Sequence, residues 1–227
     1  MRTGNNSEII HHGNWILRIH EPGDRLSNRI LILLHGWSGD ENSMWVFSKD
    51  LPEDYWVLSI RAPFSAMEKG YSWRDINNNF IYGKPQIEEF KPAIILLDEF
   101  ICEWVEMNTI SDQDINLVGF SQGGAMVCSY LLLSKRKIRR AASLAGFLPD
   151  GYQDYISPGS LSNTKVFVAH GNSDETIPSS KSEEMVQALT RTGAQVDFCT
   201  EEVGHKVGAR CFSALHEFLT DGNNNFG

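Results

Sequence analysis

Ser121 stands in a setting built for nucleophilic chemistry. The surrounding stretch is Asp114-Ile115-Asn116-Leu117-Val118-Gly119-Phe120-Ser121-Gln122-Gly123-Gly124-Ala125-Met126. A short apolar run ends at Gly119, a helix-capable run starts at Gln122, and the serine has a glycine two positions before it and two after. That Gly-x-Ser-x-Gly pattern between a strand and a helix is a nucleophile elbow. A strand that turns at once into a helix brings two backbones close together. Side chains at positions 119 and 123 would clash there, so both positions favour glycine. The serine is then held in a strained conformation with its hydroxyl exposed at the tip. An exposed, preorganised hydroxyl suits attack on an acyl carbon.

A serine hydroxyl is a weak nucleophile. It needs a base within hydrogen-bond reach, and the base needs a group to orient it and to stabilise its charge. The candidate bases are His35, His170 and His205, with His216 less suited because it falls within the last helix. His35 ends a strand before a glycine loop, where it could act in catalysis or brace the loop. His205 lies in a tight loop between a strand and a helix. For the acid, Asp174 follows a strand by a short loop, whereas Asp150 and Asp154 lie in a less regular stretch. Asp112 and Asp114 precede their strand and so belong to the wrong edge. Ser121, Asp174 and His205 run in the Ser…acid…His order of α/β-hydrolases, with His170 the main rival for the base.

A tetrahedral oxyanion needs preorganised donors. The backbone N–H of Gln122, at a helix start, supplies one with the help of the helix dipole. The loop His35-Gly36-Trp37-Ser38-Gly39 points to the N–H of Trp37 as the other. Taken without the elbow, Gly36 and Gly39 would only make a turn.

The elements that must carry these groups alternate along the chain. Strands are expected at Trp15–Ile19, Ile30–His35, Tyr55–Ile60, Ile115–Phe120, Arg140–Ala145, Lys165–His170 and Gln195–Glu201. Helices are expected over about Ser43–Leu51, Ile87–Asn108 (with Pro92 in its first turns), Gln122–Ser134, Ser180–Thr192 and Val207–Leu219. The central strands are solidly apolar, as expected of strands buried on both faces. This pattern predicts an α/β fold with a mostly parallel central sheet and helices on both faces. Loops leaving the carboxyl ends of such strands share one edge, where active sites collect. Residues 64–86 read as a long ordered loop carrying Phe64, Tyr71, Trp73, Phe80 and Tyr82, and long loops in compact domains are often functional. Residues 1–13, with His11-His12, read as a terminal loop, and 221–227 as a frayed tail. No repeat, linker or composition shift marks a boundary, so one domain is expected over 1–227.

Composition narrows the function classes. The chain has 227 residues, 41% hydrophobic and 22% charged, enough for a sizeable core. A net charge of −9 argues against nucleic-acid binding, which needs clustered Lys and Arg. The basic cluster Lys135-Arg136-Lys137 with Arg139-Arg140 reads as a solvated helix C-terminus complementing the dipole. Cys102, Cys128, Cys199 and Cys211 form no Cys-x-x-Cys pair, which predicts free thiols in a reducing compartment and no zinc site. No apolar signal core stands at the N-terminus and no run approaches the length of a membrane span. The expectation is a cytoplasmic protein without integral membrane association.

The chain resembles the phospholipase/carboxylesterase family of α/β-hydrolases, which includes acyl-protein thioesterases and small bacterial carboxylesterases. The segments that carry the likeness are Leu34-His35-Gly36-Trp37-Ser38-Gly39-Asp40-Glu41, Arg61-Ala62-Pro63, Ser72-Trp73, Gly119-Phe120-Ser121-Gln122-Gly123-Gly124-Ala125, Gly146-Phe147-Leu148-Pro149, His170-Gly171-Asn172-Ser173-Asp174 with Ile177-Pro178, and Gly204-His205. The resemblance implies Ser121 as nucleophile, Asp174 as acid, His205 as base, and the Trp37 and Gln122 amides as oxyanion hole. It demotes His170 to a structural place beside Asp174. The chain departs from the family at Asn172, where the family usually has Asp, and over 64–86 outside Ser72-Trp73. Trp37, Phe64, Trp73, Phe147 and Leu148 are the candidate walls of an acyl cleft.

Together these readings describe a serine esterase working through an acyl-enzyme, with no metal or cofactor and a small acyl ester or thioester as substrate. Homodimerisation is common on this scaffold. The same triad could serve a lysophospholipid, a lactone or a peptide. A catalytically silent binding module is the alternative from outside enzymology, against which all three triad residue types stand.

Overall fold

A computed structural model of the chain describes residues 7–23, 29–49, 51, 53–76, 83, 85–110 and 114–220. In chain order the elements are β1 (Glu8–His12), β2 (Trp15–His20), β3 (Arg29–Leu34), β4 (Tyr55–Ile60), β5 (Phe64–Ser65), β6 (Tyr71–Ser72), α1 (Lys91–Met107), β7 (Asp114–Phe120), α2 (Gln122–Leu133), β8 (Arg140–Leu144), β9 (Lys165–Gly171), α3 (Ser180–Arg191), β10 (Gln195–Glu201) and α4 (Ala209–Thr220). Among the described residues, eight strands form one sheet in the order β1-β2-β4-β3-β7-β8-β9-β10. Its first two pairings are antiparallel and the rest parallel. β5 and β6 make a separate antiparallel hairpin.

The apolar runs work because successive side chains in a strand point to opposite faces. Ile30, Ile32 and Leu34 of β3, Trp56, Leu58 and Ile60 of β4 and Val166 and Val168 of β9 pack on one face, under α1, α2 and α3. Leu31 and Leu33, Val57, Val118 and Phe167 face the other way, under α4 and the segment carrying Met44 and Leu51. A sheet covered on both sides has no use for alternation with polar residues, and its central strands show none. The register brings the strand ends level: Leu34 lies beside Gly119, Gly119 beside Ser143, and Leu144 beside Ala169. The loops after β3, β7, β9 and β10 therefore open on one edge.

Several expectations are corrected. Residues 8–12 are not terminal loop but β1, paired residue for residue with β2. His12 packs edge-on against Phe100 and Trp104, so its ring serves that contact. The helix expected over 43–51 is a single 3₁₀ turn at Trp45–Ser48, followed by an extended Lys49. Residues 87–90 form a 3₁₀ turn before α1, with Pro92 in the first turn of α1 itself. The basic cluster is not simply solvated: Arg136 pairs with Asp98 at 2.6 Å, Arg139 with Asp114 at 2.5 Å, and Arg140 is buried. The tail 221–227, residues 1–6, Asp112, and residues 77–82 with Phe80 and Tyr82 lie outside the described residues.

The cysteine expectation fails at two positions. Cys199 of β10 and Cys211 of α4 are joined in a disulfide, their Cα atoms 5.7 Å apart, while Cys102 and Cys128 are free. α4 folds back onto β10, which sets the two side chains opposite each other. The bridge closes the segment that carries His205.

Candidate active site

The elbow has the geometry its glycines predict. Ser121 adopts φ 53° and ψ −116°, a left-handed conformation costly for a residue with a side chain. A Cβ at Gly119 would overlap the carbonyl oxygen of Gly123, and one at Gly123 would overlap that of Leu34. The serine amide donates to the carbonyl of Leu144 at 2.8 Å, and its own carbonyl accepts from Ala125 at 3.0 Å. The strain is thus held from both sides by β8 and α2.

Ser121, His205 and Asp174 form one hydrogen-bonded chain. His205 Nε2 lies 2.9 Å from Ser121 Oγ, and His205 Nδ1 lies 2.7 Å from Asp174 Oδ2. The Asp174 carboxylate can only accept, so Nδ1 carries the proton and Nε2 is free to accept one from the serine. Asp174 Oδ1 accepts the backbone N–H groups of Thr176 and Ile177 at 2.8 and 3.0 Å. Burial raises the Asp174 pKa, but the Ile177 amide, the His205 ring and the Thr176 amide outweigh it and hold the carboxyl below its ordinary value. The Phe120 ring packs against the His205 ring with centroids 5.1 Å apart.

This bonding yields a first prediction, for Asp174→Asn. The Thr176 and Ile177 donors keep the amide oxygen on their side, so the amide nitrogen faces His205. Its N–H forces Nδ1 to accept and moves the ring proton to Nε2, where it blocks transfer from Ser121. A loss of about 10⁴-fold in kcat with little change in KM is expected in steady-state ester hydrolysis. A loss under tenfold would remove Asp174 from the role.

The other histidines are accounted for differently. His170 Nε2 lies 2.8 Å from the Ile177 carbonyl and 3.3 Å from Asp174 Oδ2, with its side chain fully buried. It braces the loop that carries Asp174. His35 donates from Nδ1 to the Gly36 carbonyl at 2.7 Å and accepts at Nε2 from the Ala62 amide at 3.0 Å. Both ring nitrogens are spent on backbone, so His35 is a loop brace. His216 stays in α4 beside Phe47, Leu51, Phe212 and Leu215. Asp150 lines the cleft wall, and its backbone pairs with Ile87 and Pro85. Asp114 sits at the opposite end of β7, bound to Arg29 and Arg139.

Burial pushes the His35 pKa below its ordinary 6.5, with the Gly36 carbonyl opposing. The folded ring stays neutral where the unfolded one takes a proton. Its contribution to stability is therefore full above about pH 6.5 and is lost as pH falls below it, by at most about 1.4 kcal/mol per pH unit. His35→Gln is expected to melt lower than the parent at pH 8 and to lose less of its Tm between pH 7 and pH 5. Parallel pH–Tm curves for the two proteins would refute this.

The Gly36–Gly39 loop lies against the elbow. A Cβ at Gly36 would stand 3.4 Å from the Ser121 Cβ. The loop is tied down by Ser38 N–H to the Tyr71 carbonyl and Tyr71 N–H to the Gly39 carbonyl, both at 3.0 Å. Glu41 grips Arg61 through two hydrogen bonds of 2.7 and 3.0 Å, and Arg61 also reaches the Tyr71 hydroxyl. The Asp40-Glu41 and Arg61-Ala62 segments thus fix the loop that presents the Trp37 amide.

Gln122 does more than the sequence suggested. Its side-chain oxygen accepts the Trp73 amide at 3.0 Å and its side-chain nitrogen donates to Ser72 Oγ at 3.2 Å. Trp73 in turn donates from Nε1 to the His35 carbonyl at 2.8 Å. Ser72-Trp73 is therefore a strut between the two loops bearing Trp37 and Gln122. The pairing of an amide side chain with a Ser-Trp dipeptide about 50 residues away in sequence carries no local signal, so only the fold reveals it.

A cavity of about 690 Å³ opens at Ser121 and His205. Trp37, Phe147 and Leu148 line it as expected, joined by Phe120, Ile177 and Pro178. Phe64 and Trp73 do not. Trp73 is fully buried and Phe64 is half-buried against the same core. Both aromatic rings serve packing. Asn172, where the family usually has Asp, reaches out at the surface to Glu202 at 2.5 Å and touches none of the three triad candidates.

The family model described as Phospholipase/Carboxylesterase matches residues 15–222. Acyl-protein thioesterase 1 of Eremothecium gossypii is 27% identical over 172 residues, spanning 70% of this chain and 72% of that protein. Among solved structures, a carboxylesterase from Mesorhizobium loti superposes with a TM-score of 0.80 at 20% identity, covering 96% of this chain and all of that one. The Bacillus cereus carboxylesterase gives 0.79 at 20% identity, covering 95% and 94%. These likenesses place the chain in the α/β-hydrolase fold. No helix among the described residues is long and apolar enough to cross a membrane.

Proposed function

The chain belongs to the phospholipase/carboxylesterase family, and from that premise we propose that it hydrolyses carboxylic esters or thioesters through an acyl-enzyme on Ser121. The observation that carries the assignment is the hydrogen-bonded chain from Ser121 Oγ through His205 to Asp174 at the floor of an apolar cleft. Ser121 Oγ attacks the acyl carbon while its proton passes to His205 Nε2. The oxyanion forms against the N–H groups of Trp37 and Gln122, the second at the positive end of α2. Collapse breaks the bond to the leaving oxygen or sulfur, which takes the proton from Nε2. Water then enters, gives a proton to His205 and attacks the acyl-enzyme, and the acid leaves as His205 returns that proton to Ser121 Oγ. Asp174 holds the tautomer and stabilises the imidazolium.

The test is a fluorophosphonate probe followed by a substrate panel. One-to-one labelling of folded protein at Ser121, with turnover of p-nitrophenyl esters, is expected. Folded protein that takes up no probe would favour the silent binding module. Running acyl-CoA and lysophospholipid beside the p-nitrophenyl series separates thioester and lipid hydrolysis from simple ester hydrolysis.

A further inference from the structure

His205 is carried by an irregular stretch. Residues 202–208, between β10 and α4, form neither strand nor helix. One arm of this stretch is tied to the loop that bears Asp174: the Asn172 amide donates to the Glu201 carbonyl at 2.9 Å, and the Ser173 amide to the Val203 carbonyl at 3.1 Å. The other arm returns to β10. Arg210 donates to the Thr200 carbonyl, the Cys211 amide donates to the Glu201 carboxylate at 3.3 Å, and Cys211 is bonded to Cys199. Of these ties only the disulfide is covalent. Cys199 and Cys211 are 12 positions apart, and His205 stands midway between them. Closing a loop removes conformations from the chain between its anchors. The middle of that chain is the point farthest from either anchor.

The fold itself does not depend on the bridge. Disulfides hold together domains too small to build a core, whereas this sheet is covered on both faces. α4 is seated by Leu215, Phe218 and Leu219, all buried in the core on the second face. The bridge therefore acts locally, on the segment it closes.

Resting on the acyl-enzyme reading above, we propose that Cys199 and Cys211 form a reversible thiol–disulfide site that governs the position of the base. Closed, the bridge holds His205 over Ser121. Opened by a dithiol reductant, it frees the segment and slows both acyl-transfer steps. Cys199 is partly exposed and Cys211 is buried, so one thiolate of the dithiol attacks Cys199 Sγ and Cys211 leaves as the thiolate, then takes a proton. The second thiolate of the dithiol attacks the mixed disulfide, releases Cys199, and closes as a cyclic disulfide. Two electrons and two protons pass from the dithiol to the two cysteines. Glutathione disulfide reverses the exchange and leaves as two molecules of the thiol.

The effect falls on kcat. Proton transfer needs Nε2 at the 2.9 Å it keeps from Ser121 Oγ, while the cavity walls that hold the ground-state ester are drawn mainly from other segments. Misplacing a reacting group by about 1 Å costs up to about 10²-fold. The freed segment stays tethered through Val203 and Asp174, so a smaller loss is expected.

Reduction of the folded full chain with dithiothreitol tests this, with opening of the bridge read as two further alkylated cysteines by mass. kcat for p-nitrophenyl butyrate is expected to fall about tenfold with KM within about twofold, and to recover on addition of glutathione disulfide. Cys199→Ser should stay at the low rate whichever reagent is added. Cys102→Ser, which removes the exposed free thiol, should keep the full response. Amide hydrogen exchange over 202–208 should quicken on reduction, a readout that needs no substrate. Where Cys199→Ser does not fold, reduction of the parent decides alone. A reduced chain with kcat within twofold of the oxidised one, unchanged exchange over 202–208, or a response that persists in Cys199→Ser would overturn the proposal. So would four alkylatable cysteines after glutathione disulfide, or loss of the fold on reduction, which would make the bridge a general staple. Failure of the acyl-enzyme reading looks different: neither redox state would turn over the ester or take up fluorophosphonate, and exchange over 202–208 would then decide whether the bridge governs the segment.

Discussion

Ser121→Ala and His205→Ala are each expected to lose on the order of 10⁴-fold or more in kcat, and the double variant no more than the worse of the two. The two residues act on one proton. Without the hydroxyl, His205 has nothing to deprotonate in the first step. Without the imidazole, the hydroxyl stays protonated near neutrality and the leaving group departs without a proton. The 2.9 Å contact between Oγ and Nε2 makes these a single device, so the second deletion removes nothing further. On the proposed mechanism, the rate that survives would come from binding and from the Trp37 and Gln122 amides. KM should change little, because neither side chain contributes much to holding the ground-state ester. Steady-state kinetics on a p-nitrophenyl ester, with melting curves to show that each variant is folded, decides the matter. Either single variant retaining more than a tenth of the parent kcat would remove that residue from the mechanism, and additive losses would show that the two act independently.

The elbow was legible because its constraint is local. A strand, a glycine, a serine, a glycine and a helix are adjacent in sequence, and the clash that excludes side chains at 119 and 123 needs only that adjacency. The meeting of Asp174 and His205 with Ser121 was legible for a topological reason: in a parallel sheet, residues just past strand ends share an edge. What stayed hidden depends on contacts without local signature. Cys199 and Cys211 pair only because α4 folds back along β10. Arg136 and Arg139 looked like a solvated cluster because Asp98 and Asp114 stand 38 and 25 residues away. β1 reads as polar loop since an edge strand has only one neighbour and little to bury. Phe64 and Trp73 look like pocket aromatics in a long loop. Trp73 becomes core once Gln122 and the His35 carbonyl tie it down.

Gly123→Ala should be among the most damaging single methyls in the described residues. A Cβ there would overlap the Leu34 carbonyl oxygen and come within 2.6 Å of the His35 carbonyl oxygen. Both obstacles are backbone at the end of a central strand, so no rotamer change relieves them. Overpacking against atoms that cannot turn aside costs about 3 kcal/mol or more. For a chain of this length each kcal/mol lowers Tm by about 2–4 °C, so a fall of about 6 °C or more is expected. Gly23→Ala is the control: its φ lies outside the left-handed region and its nearest neighbour would be the Glu53 carboxylate at 3.9 Å, which predicts a change within about 0.5 kcal/mol. The damage should extend to function. The overlap can be relieved only by moving α2 away from β3, and that motion separates the Gln122 amide at the start of α2 from the Trp37 amide three residues past Leu34. The fraction of Gly123→Ala that folds should accordingly lose kcat rather than raise KM, because the oxyanion donors act mainly in the transition state. A variant that melts within 2 °C of the parent would show that strand and helix do not approach this closely. One that melts low yet keeps its kcat would show that the spacing of the two amides does not govern the rate.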